Sequence, residues 1–226
     1  MIADERHINF SLANPALTYS EGKFVSCILN CMKLAVNSFL QVYKSTQSRI
    51  PMNEDDLTQI FYSQVQIIVR EFDYPFNIGN QERDLTKQRK GIPDLFFYAH
   101  KLGKPPISIF SIECKRLPAP PPKSREKEYV IGVKNNGGIE RYKTEKHGKG
   151  LDECGMLGFV EEETFPFWQK CINTWIINLS NTDFFWQNDE ILVEVENRKV
   201  FAVLQSIAHR VSQTDIRLHH LWINIQ

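Results

Sequence analysis

Cysteine is scarce in this sequence, and its spacing is not that of a metal site. The 226 residues include five cysteines, an odd number, and no two of them form a Cys-x-x-Cys pair. A sparse, odd set of thiols is typical of a reducing compartment, where disulfides are rare. The pairs closest to a shared metal ion are Cys27 with Cys31 and His147 with Cys154, and we interpret both pairs as structural side chains.

Long hydrophobic runs and targeting signals are also missing. No stretch approaches 18 uninterrupted apolar residues, and the start, Met-Ile-Ala-Asp-Glu-Arg, lacks the layout of a signal peptide. We therefore expect a cytoplasmic protein with no membrane partner. The composition, 42% hydrophobic and 24% charged, suits one sizeable core. We predict a single domain over residues 1–226, with an N-terminal helical region at 20–72 and a basic insertion at 118–150.

The chain carries no net charge, but its charges are unevenly distributed. Residues 83–149 hold 16 Lys and Arg against 7 Asp and Glu, whereas residues 1–82 hold 6 against 9 and residues 150–226 hold 5 against 11. The middle segment is therefore +9 and the remainder is −9. Such an asymmetry favours contact with a polyanion. The alternative is a solvated basic loop.

The middle segment begins with a predicted β-hairpin. Two apolar and aromatic runs, 95–98 and 107–112, have the character of strands, and a Gly-Lys-Pro-Pro break separates them. A turn centred between Gly103 and Lys104 places Asp94 opposite Glu113, because both lie the same number of residues from that centre. Cross-strand partners are about 5 Å apart. Lys115 lies two residues beyond Glu113, so its side chain points to the same face.

This convergence of charges predicts a cation site. Two carboxylates about 4 Å apart repel each other by roughly 4 kcal/mol at an effective dielectric constant of 20. One lysine offsets only part of that repulsion. Mg²⁺ is a suitable partner, because it takes oxygen ligands from one or two carboxylates and keeps other positions for water and phosphate oxygens.

The pair Pro93-Asp94, followed by Glu113-Cys114-Lys115 at the end of the next strand, resembles the active-site signature of the PD-(D/E)xK, or restriction-endonuclease-like, superfamily. The resemblance covers about 25 residues. It implies an α/β (α+β) fold whose core is a mixed central β-sheet flanked by helices. It also implies an endonuclease that uses Mg²⁺ or Mn²⁺ to hydrolyse phosphodiester bonds.

The resemblance further implies roles for individual residues. Asp94 and Glu113 would hold the metal, with a backbone carbonyl near Cys114 as an extra ligand, and Lys115 would orient or deprotonate the attacking water. Family members often place one more carboxylate on the helix before the hairpin, where it reaches toward the metal. Our candidate is Glu54, by its position at a helix start, and the alternatives are Asp55 and Glu71.

The biological setting follows from the same resemblance. We expect DNA as the substrate and bacterial restriction or anti-phage defence as the role, with a partner subunit or a homodimer supplying recognition. One alternative is an inert subunit that keeps the nuclease fold as a nucleic-acid-binding or scaffold protein. Another is a structure-specific resolvase or an RNA-processing nuclease with the same chemistry.

Two further regions carry candidate substrate contacts. We interpret residues 73–90 as a polar loop whose Arg89 and Lys90 would contact phosphate. The basic insertion contains Gly-Gly-Ile-Glu-Arg-Tyr at 137–142 and His-Gly at 147–148, which are similar to motifs that follow the catalytic strand in some small bacterial restriction-like proteins. That similarity implies that Arg141 and His147 are neighbours of the active site that hold phosphate.

Periodicity predicts the remaining elements. Apolar residues at helical spacing indicate helices over 21–44 and 53–72, the second with Asn53 as its N-cap, and another helix over 159–179. A hairpin is predicted over 191–204 and a final strand over 217–225. This strand contains His219 and His220, which point to opposite faces and are interpreted as structural.

Overall fold

The computed structural model describes residues 21–47, 51–81, 91–100, 103 and 105–226, and a seven-stranded mixed β-sheet forms its centre. The strands are β1 (Phe76–Asn80), β2 (Leu95–Ala99), β3 (Ser108–Leu117), β4 (Glu153–Val160), β5 (Val193–Asn197), β6 (Phe201–His209) and β7 (Asp215–Asn224). Their order across the sheet is β1-β2-β3-β4-β7-β6-β5. The central pairs β3–β4 and β4–β7 are parallel, and the outer pairs are antiparallel. The expected mixed sheet is confirmed.

Two helices cover one face of the sheet. They are α1 (Glu21–Gln47) and α2 (Glu54–Glu71), and both agree with the sequence predictions. Asn53 caps α2 as expected, because its side chain accepts the Asp56 N–H at 2.9 Å and the Asp56 side chain accepts the Asn53 N–H at 3.0 Å. The buried stripes of both helices pack against alternate residues of β3, among them Phe110, Ile112 and Cys114.

The helix α1 is, among the described residues, the one helix that passes a membrane-span test by length and composition. The core helix of a soluble protein and a signal sequence pass the same test. Its apolar side is buried in the protein core, where Ile28, Cys31, Ala35 and Phe39 are inaccessible to solvent. Burial also raises the pKa of Cys31 to about 12, which suits a structural thiol better than a metal ligand.

The other face of the sheet is covered by α3 (Gly138–Lys143) and α4 (Phe165–Ser180). The prediction of a helix from residue 159 was wrong at its start. Phe159 and Val160 end strand β4, where they pair with β3 on one side and β7 on the other. The helix begins only at Phe165, after the N-cap Thr164 and with a proline in its first turn.

The interpretation of residues 73–90 as a loop was also wrong in part. Phe76–Asn80 forms β1, which pairs antiparallel with β2 at the edge of the sheet. Phe76 and Ile78 point to the core under α1 and α2. The strand was missed because an alternation over only five residues is too short to be distinguished from a loop. Residues 82–90, with Arg89 and Lys90, lie outside the described residues, as does Lys104 of the predicted turn.

The C-terminal strands agree with the sequence predictions to within a few residues. Strands β5 and β6 form the expected hairpin, and β7 is the expected last strand. On β7, His220 lies between the Tyr129 hydroxyl and the Ser206 hydroxyl, each 2.9 Å from a ring nitrogen, while His219 pairs with Glu153 at 2.6 Å. Both histidines are held by neighbouring side chains, which fits the structural role predicted for them.

The burial of His220 predicts acid sensitivity. Burial lowers the pKa of His220 to about 3, below its ordinary value near 6.5, so between these values only the unfolded chain takes up the proton. Stability is therefore present above pH 6.5 and is lost as the pH falls. We expect His220 to account for about 2 kcal/mol of lost stability between pH 7.5 and pH 5.

Urea unfolding of the wild type and of His220→Gln at both pH values measures this contribution. The free-energy difference between the two proteins should narrow by about 2 kcal/mol at pH 5, because the variant has no imidazole to protonate. Parallel pH dependences in the two proteins would contradict the assignment.

Candidate active site

One charged cluster lies on the α3 side of the sheet, in the C-terminal half of β3. It consists of Glu54, Asp94, Glu113, Lys115, Arg141 and His147. Its members come from the start of α2, the residue before β2, the strand β3, the helix α3 and the turn after it. These six residues include Asp94, Glu113, Lys115 and Glu54, which the sequence analysis predicts to be catalytic.

The strand register brings the two predicted acids together. Leu95 pairs with Ile112, so Asp94 comes next opposite Glu113, as the turn-centred prediction requires. The predicted register holds as far as Phe97 opposite Phe110, beyond which a bulge shifts the pairing. The Cys114 N–H donates to Asp94 Oδ2 at 2.7 Å, which ties the residue before β2 to β3.

Lys115 joins three oxygen groups of the cluster. Its Nζ lies 2.9 Å from Glu113 Oε1, 2.9 Å from Glu54 Oε1 and 2.8 Å from the Cys114 carbonyl oxygen. Burial alone would lower the pKa of Lys115, but the attraction of Glu113, Glu54 and Asp94 outweighs it and raises the pKa. The side chain is therefore a buried ammonium ion.

Glu54 is the helix carboxylate that reaches the cluster. Its second oxygen, Oε2, accepts the Arg116 N–H at 3.1 Å, so the start of α2 is fastened to β3 through both carboxylate oxygens. Burial raises its pKa, against the opposing effect of Lys115. The alternatives Asp55 and Glu71 are exposed. The contacts therefore favour Glu54 among the three candidates.

Arg141 and His147 both meet the Glu113 carboxylate. Arg141 Nη1 donates to Glu113 Oε1, the same oxygen that faces Lys115. His147 Nδ1 lies 3.1 Å from Glu113 Oε2, but the two atoms are not aligned for a hydrogen bond. Within the described residues, Glu113 Oε2 is thus a buried oxygen that has the His147 ring nitrogen as a neighbour but no aligned hydrogen-bond donor.

The two adjacent glycines before Arg141 are explained by close packing. A Cβ on Gly137 would lie 2.3 Å from the Ile131 Cα, and one on Gly138 would lie 2.8 Å from the Tyr129 carbonyl oxygen. Glu140 Oε2 accepts the Gly137 N–H at 3.1 Å and so caps the short helix α3. The cap was missed, although the Gly-Gly-Ile-Glu spacing is a signal for it.

Tight packing also explains Gly91. A Cβ at this position would lie 2.5 Å from the His147 ring, so the chain passes directly against the imidazole. Tyr142 also packs edge-on against this ring, with centroids 6.0 Å apart. A glycine just before Ile-Pro-Asp was the available signal, but nothing in the sequence showed that His147 is its neighbour.

The role predicted for Cys114, an extra metal ligand, belongs to its backbone carbonyl group and not to its thiol. Its carbonyl oxygen accepts from Lys115, as described above, and the thiol points to the opposite face, among the apolar residues under α1 and α2. Burial raises the pKa of this thiol well above its ordinary value. The carbonyl oxygen therefore remains the only group of Cys114 suited to a hard cation.

Much of the basic segment is engaged within the protein. Lys143 is fully buried, and its ammonium donates to Glu190 and to the His209 carbonyl oxygen. Arg125 pairs with Glu128, and Lys146 donates to backbone carbonyl oxygens. Several Lys and Arg side chains of this stretch are therefore already paired within the protein, and only the others can form a surface for a polyanion.

The charge balance of the cluster is uneven. Burial by itself would raise the pKa of Glu113, yet Lys115, His147 and Arg141 outweigh it and lower that pKa to about 2. Burial, together with the nearby Glu113, raises the pKa of Asp94 to about 7. The cations of the cluster thus stabilise one carboxylate and leave the other under-compensated.

This donor set suits Mg²⁺ in its chemistry. Among the described residues, no group of three or more His, Cys, Asp or Glu side chains is arranged to hold a metal ion. Mg²⁺ binds through one or two carboxylates and completes its shell with water and phosphate oxygens. The under-compensated Asp94 and the Glu113 oxygen that lacks an aligned hydrogen-bond donor fit such a site, although His147 lies 3.1 Å from that oxygen and Lys115 and Arg141 compete for the other one.

The uneven charge balance predicts that two isosteric substitutions, Asp94→Asn and Glu113→Gln, have opposite effects on the stability of the protein. In EDTA at pH 8, Asp94→Asn should stabilise the protein by about 2–4 kcal/mol, because it removes a charge that is disfavoured in the folded state. Glu113→Gln should destabilise it by about 3 kcal/mol, because Lys115 and Arg141 lose their shared partner.

Urea unfolding of both variants and of the wild type measures the two changes in the free energy of unfolding. Each change replaces one carboxylate oxygen by an amide nitrogen, so the two variants control for each other. Shifts of the same sign in both would contradict the assigned charge balance.

Comparisons with models of protein families, with curated protein sequences and with solved structures find no match for this chain. The assignment of function therefore depends on the charged cluster and the sheet that holds it.

Proposed function

We propose that the protein is a Mg²⁺-dependent nuclease that hydrolyses phosphodiester bonds of DNA. The observation that carries the proposal is the meeting of Asp94, Glu113 and Lys115 in one buried cluster through the register of β2 and β3. The core that we propose is restriction-endonuclease-like. Its support is the mixed sheet, in which β3 carries Glu113 and Lys115 beside an antiparallel β2 and a parallel β4.

In this proposal, Asp94 and Glu113 hold the metal ion, with the Cys114 carbonyl oxygen as an extra ligand. When bound, Mg²⁺ supplies Lewis-acid polarisation of the scissile phosphate and a water of lowered pKa. Lys115 orients the attacking water and stabilises the charge that develops on the phosphate. Its raised pKa favours this role as a charged donor over the role of a base.

Glu54 acts on Lys115 rather than on the substrate. It binds the ammonium at 2.9 Å and the Arg116 N–H at 3.1 Å, so it restricts where the ammonium can point. Arg141 and His147 lie beside the same carboxylate and supply donors for a phosphate.

A groove of about 600 Å³ supports a polymer substrate. It follows the edge strand β1, is lined by Tyr62, Arg70 and Tyr98 among others, and reaches Gln81. The Gln81 N–H donates to the Asp94 carbonyl oxygen at 3.0 Å, so one residue of the groove wall is bonded to the backbone of a cluster residue, while the cluster side chains are not part of that wall. Aromatic rings and an arginine suit the bases and phosphates of a nucleic acid strand.

Restriction or anti-phage defence, with a partner subunit or a second copy, remains our prediction for the biological role.

One observation favours a second candidate, an inert subunit that binds nucleic acid or serves as a scaffold. Glu113 already has two cationic partners on one oxygen, so its charge is neutralised without a metal ion. A resolvase or an RNA-processing enzyme would use the same cluster on a different substrate.

The proposal predicts cleavage that needs a divalent ion and the cluster. We expect DNA cleavage with Mg²⁺ or Mn²⁺ and none with EDTA. Asp94→Asn, Glu113→Gln and Lys115→Met should each reduce the rate about 100-fold or more, the scale seen when a group that stabilises transition-state charge is removed. Linear duplex, branched DNA, single strands and RNA assayed side by side identify the substrate.

Lys199→Met is the matched control for Lys115→Met, because Lys199 is exposed in the turn between β5 and β6. It should cleave like the wild type. Cleavage retained by all three cluster variants would overturn the nuclease assignment. Nucleic acid binding without cleavage, and without stabilisation by a divalent ion, would support the inert subunit.

A further inference from the structure

We propose that Arg141 is an exchangeable counter-ion: it neutralises Glu113 in the metal-free protein and moves to a substrate phosphate when a divalent cation binds. This inference rests on the proposed function and adds a means of regulation to the same site. Metal binding and phosphate binding would then be coupled through a single side chain.

The first support is the crowding on one oxygen atom. Glu113 is fully buried, and its Oε1 faces both the Lys115 ammonium and the Arg141 guanidinium, whereas its Oε2 has His147 Nδ1 at 3.1 Å but no aligned hydrogen-bond donor among the described residues. A divalent cation that binds Glu113 repels both cationic groups and so weakens their hold on the shared oxygen. The group with fewer other partners is then the one that is released.

The second support is the difference in how the two cations are anchored. Lys115 contacts three separate oxygen groups, and its side chain is 6% exposed. Within the described residues, Arg141 makes its one side-chain hydrogen bond to Glu113, and its side chain is 24% exposed. Arg141 therefore loses fewer contacts on leaving and has a path to solvent.

The third support is the fixed position of the helix that carries Arg141. Its neighbour Tyr142 is buried and donates to the Gly155 carbonyl oxygen at 2.8 Å. The next residue, Lys143, is held by Glu190 and by the His209 carbonyl oxygen. The exchange therefore moves the Arg141 side chain and leaves α3 in place.

A phosphate is the suitable second partner for the released guanidinium. Arginine presents a planar fork of donors that matches the oxygens of a phosphate, and it remains charged at any working pH. The metal ion would bind the carboxylates and the scissile phosphate, so it would bring the new anion close to Arg141. The exchange replaces one charge-assisted hydrogen bond with another.

The test compares the wild type, Arg141→Gln and Arg141→Lys, with Arg198→Gln as the control for loss of an arginine elsewhere. Arg198 is exposed in the turn between β5 and β6. Calorimetric titration with Mg²⁺ alone measures the metal affinity without any turnover. We expect Arg141→Gln to bind Mg²⁺ about tenfold more tightly than the wild type, a typical size for such coupling. Arg141→Lys keeps the competing charge and should bind like the wild type.

The second measurement is the affinity for a short DNA duplex with and without Ca²⁺. In the wild type, Ca²⁺ should strengthen duplex binding, and in Arg141→Gln this gain should be about tenfold smaller, because the guanidinium that the metal releases is missing. Arg198→Gln should behave like the wild type in both measurements.

The outcomes distinguish a failure of the proposed nuclease function from a failure of the proposed Arg141 exchange. If the wild type binds no divalent ion, the proposed nuclease function fails. If the wild type binds Mg²⁺ and Arg141→Gln binds it equally or more weakly, the nuclease assignment stands and the exchange is overturned. Thermal unfolding of each variant confirms that the titrated protein is folded.

Discussion

The buried carboxylate of Glu113 is the constraint on which the site depends. A charge with no access to solvent is tolerated only with close partners, and here Lys115 and Arg141 share one of its oxygens. Those partners come from β3 itself and from α3. Lys115 in turn binds Glu54, which fastens α2 to the same place. Glu113 and its partner Lys115 together thus link β3, α3 and α2, which are separated in sequence.

The sheet separates this polar cluster from an apolar core. On β3, Phe110, Ile112 and Cys114 face α1 and α2, while Glu113 and Lys115 face α3. The alternation of a strand therefore places charged groups one residue away from fully buried apolar ones. Low accessibility to water on both faces strengthens the electrostatic interactions of the cluster and explains the divergent pKa values of Asp94 and Glu113.

The elements that sequence analysis identified have strong local signals. The helices α1 and α2 have long apolar stripes, and α2 also has an N-cap, so local propensity and burial agree. The elements that it missed have weak or conflicting signals. Strand β1 has only five residues, and the Gly-rich β4 is stabilised by pairing with β3 and β7 on both sides. Such strands exist because of partners that lie far away in the chain.

The site divides in the same way. The sequence by itself predicted the pairing of Asp94 with Glu113 from an assumed turn centre, and it determined through strand alternation that Lys115 shares a face with Glu113. The pairing is confirmed, although a bulge between it and the turn shifts the register by one residue. The nuclease function and its metal remain predictions from those residues. Only the tertiary structure decided that Glu54 reaches Lys115, and that Arg141 reaches Glu113. Those contacts join parts of the chain 61 and 28 residues apart, and their geometry depends on how helices pack on a sheet, which no local pattern specifies.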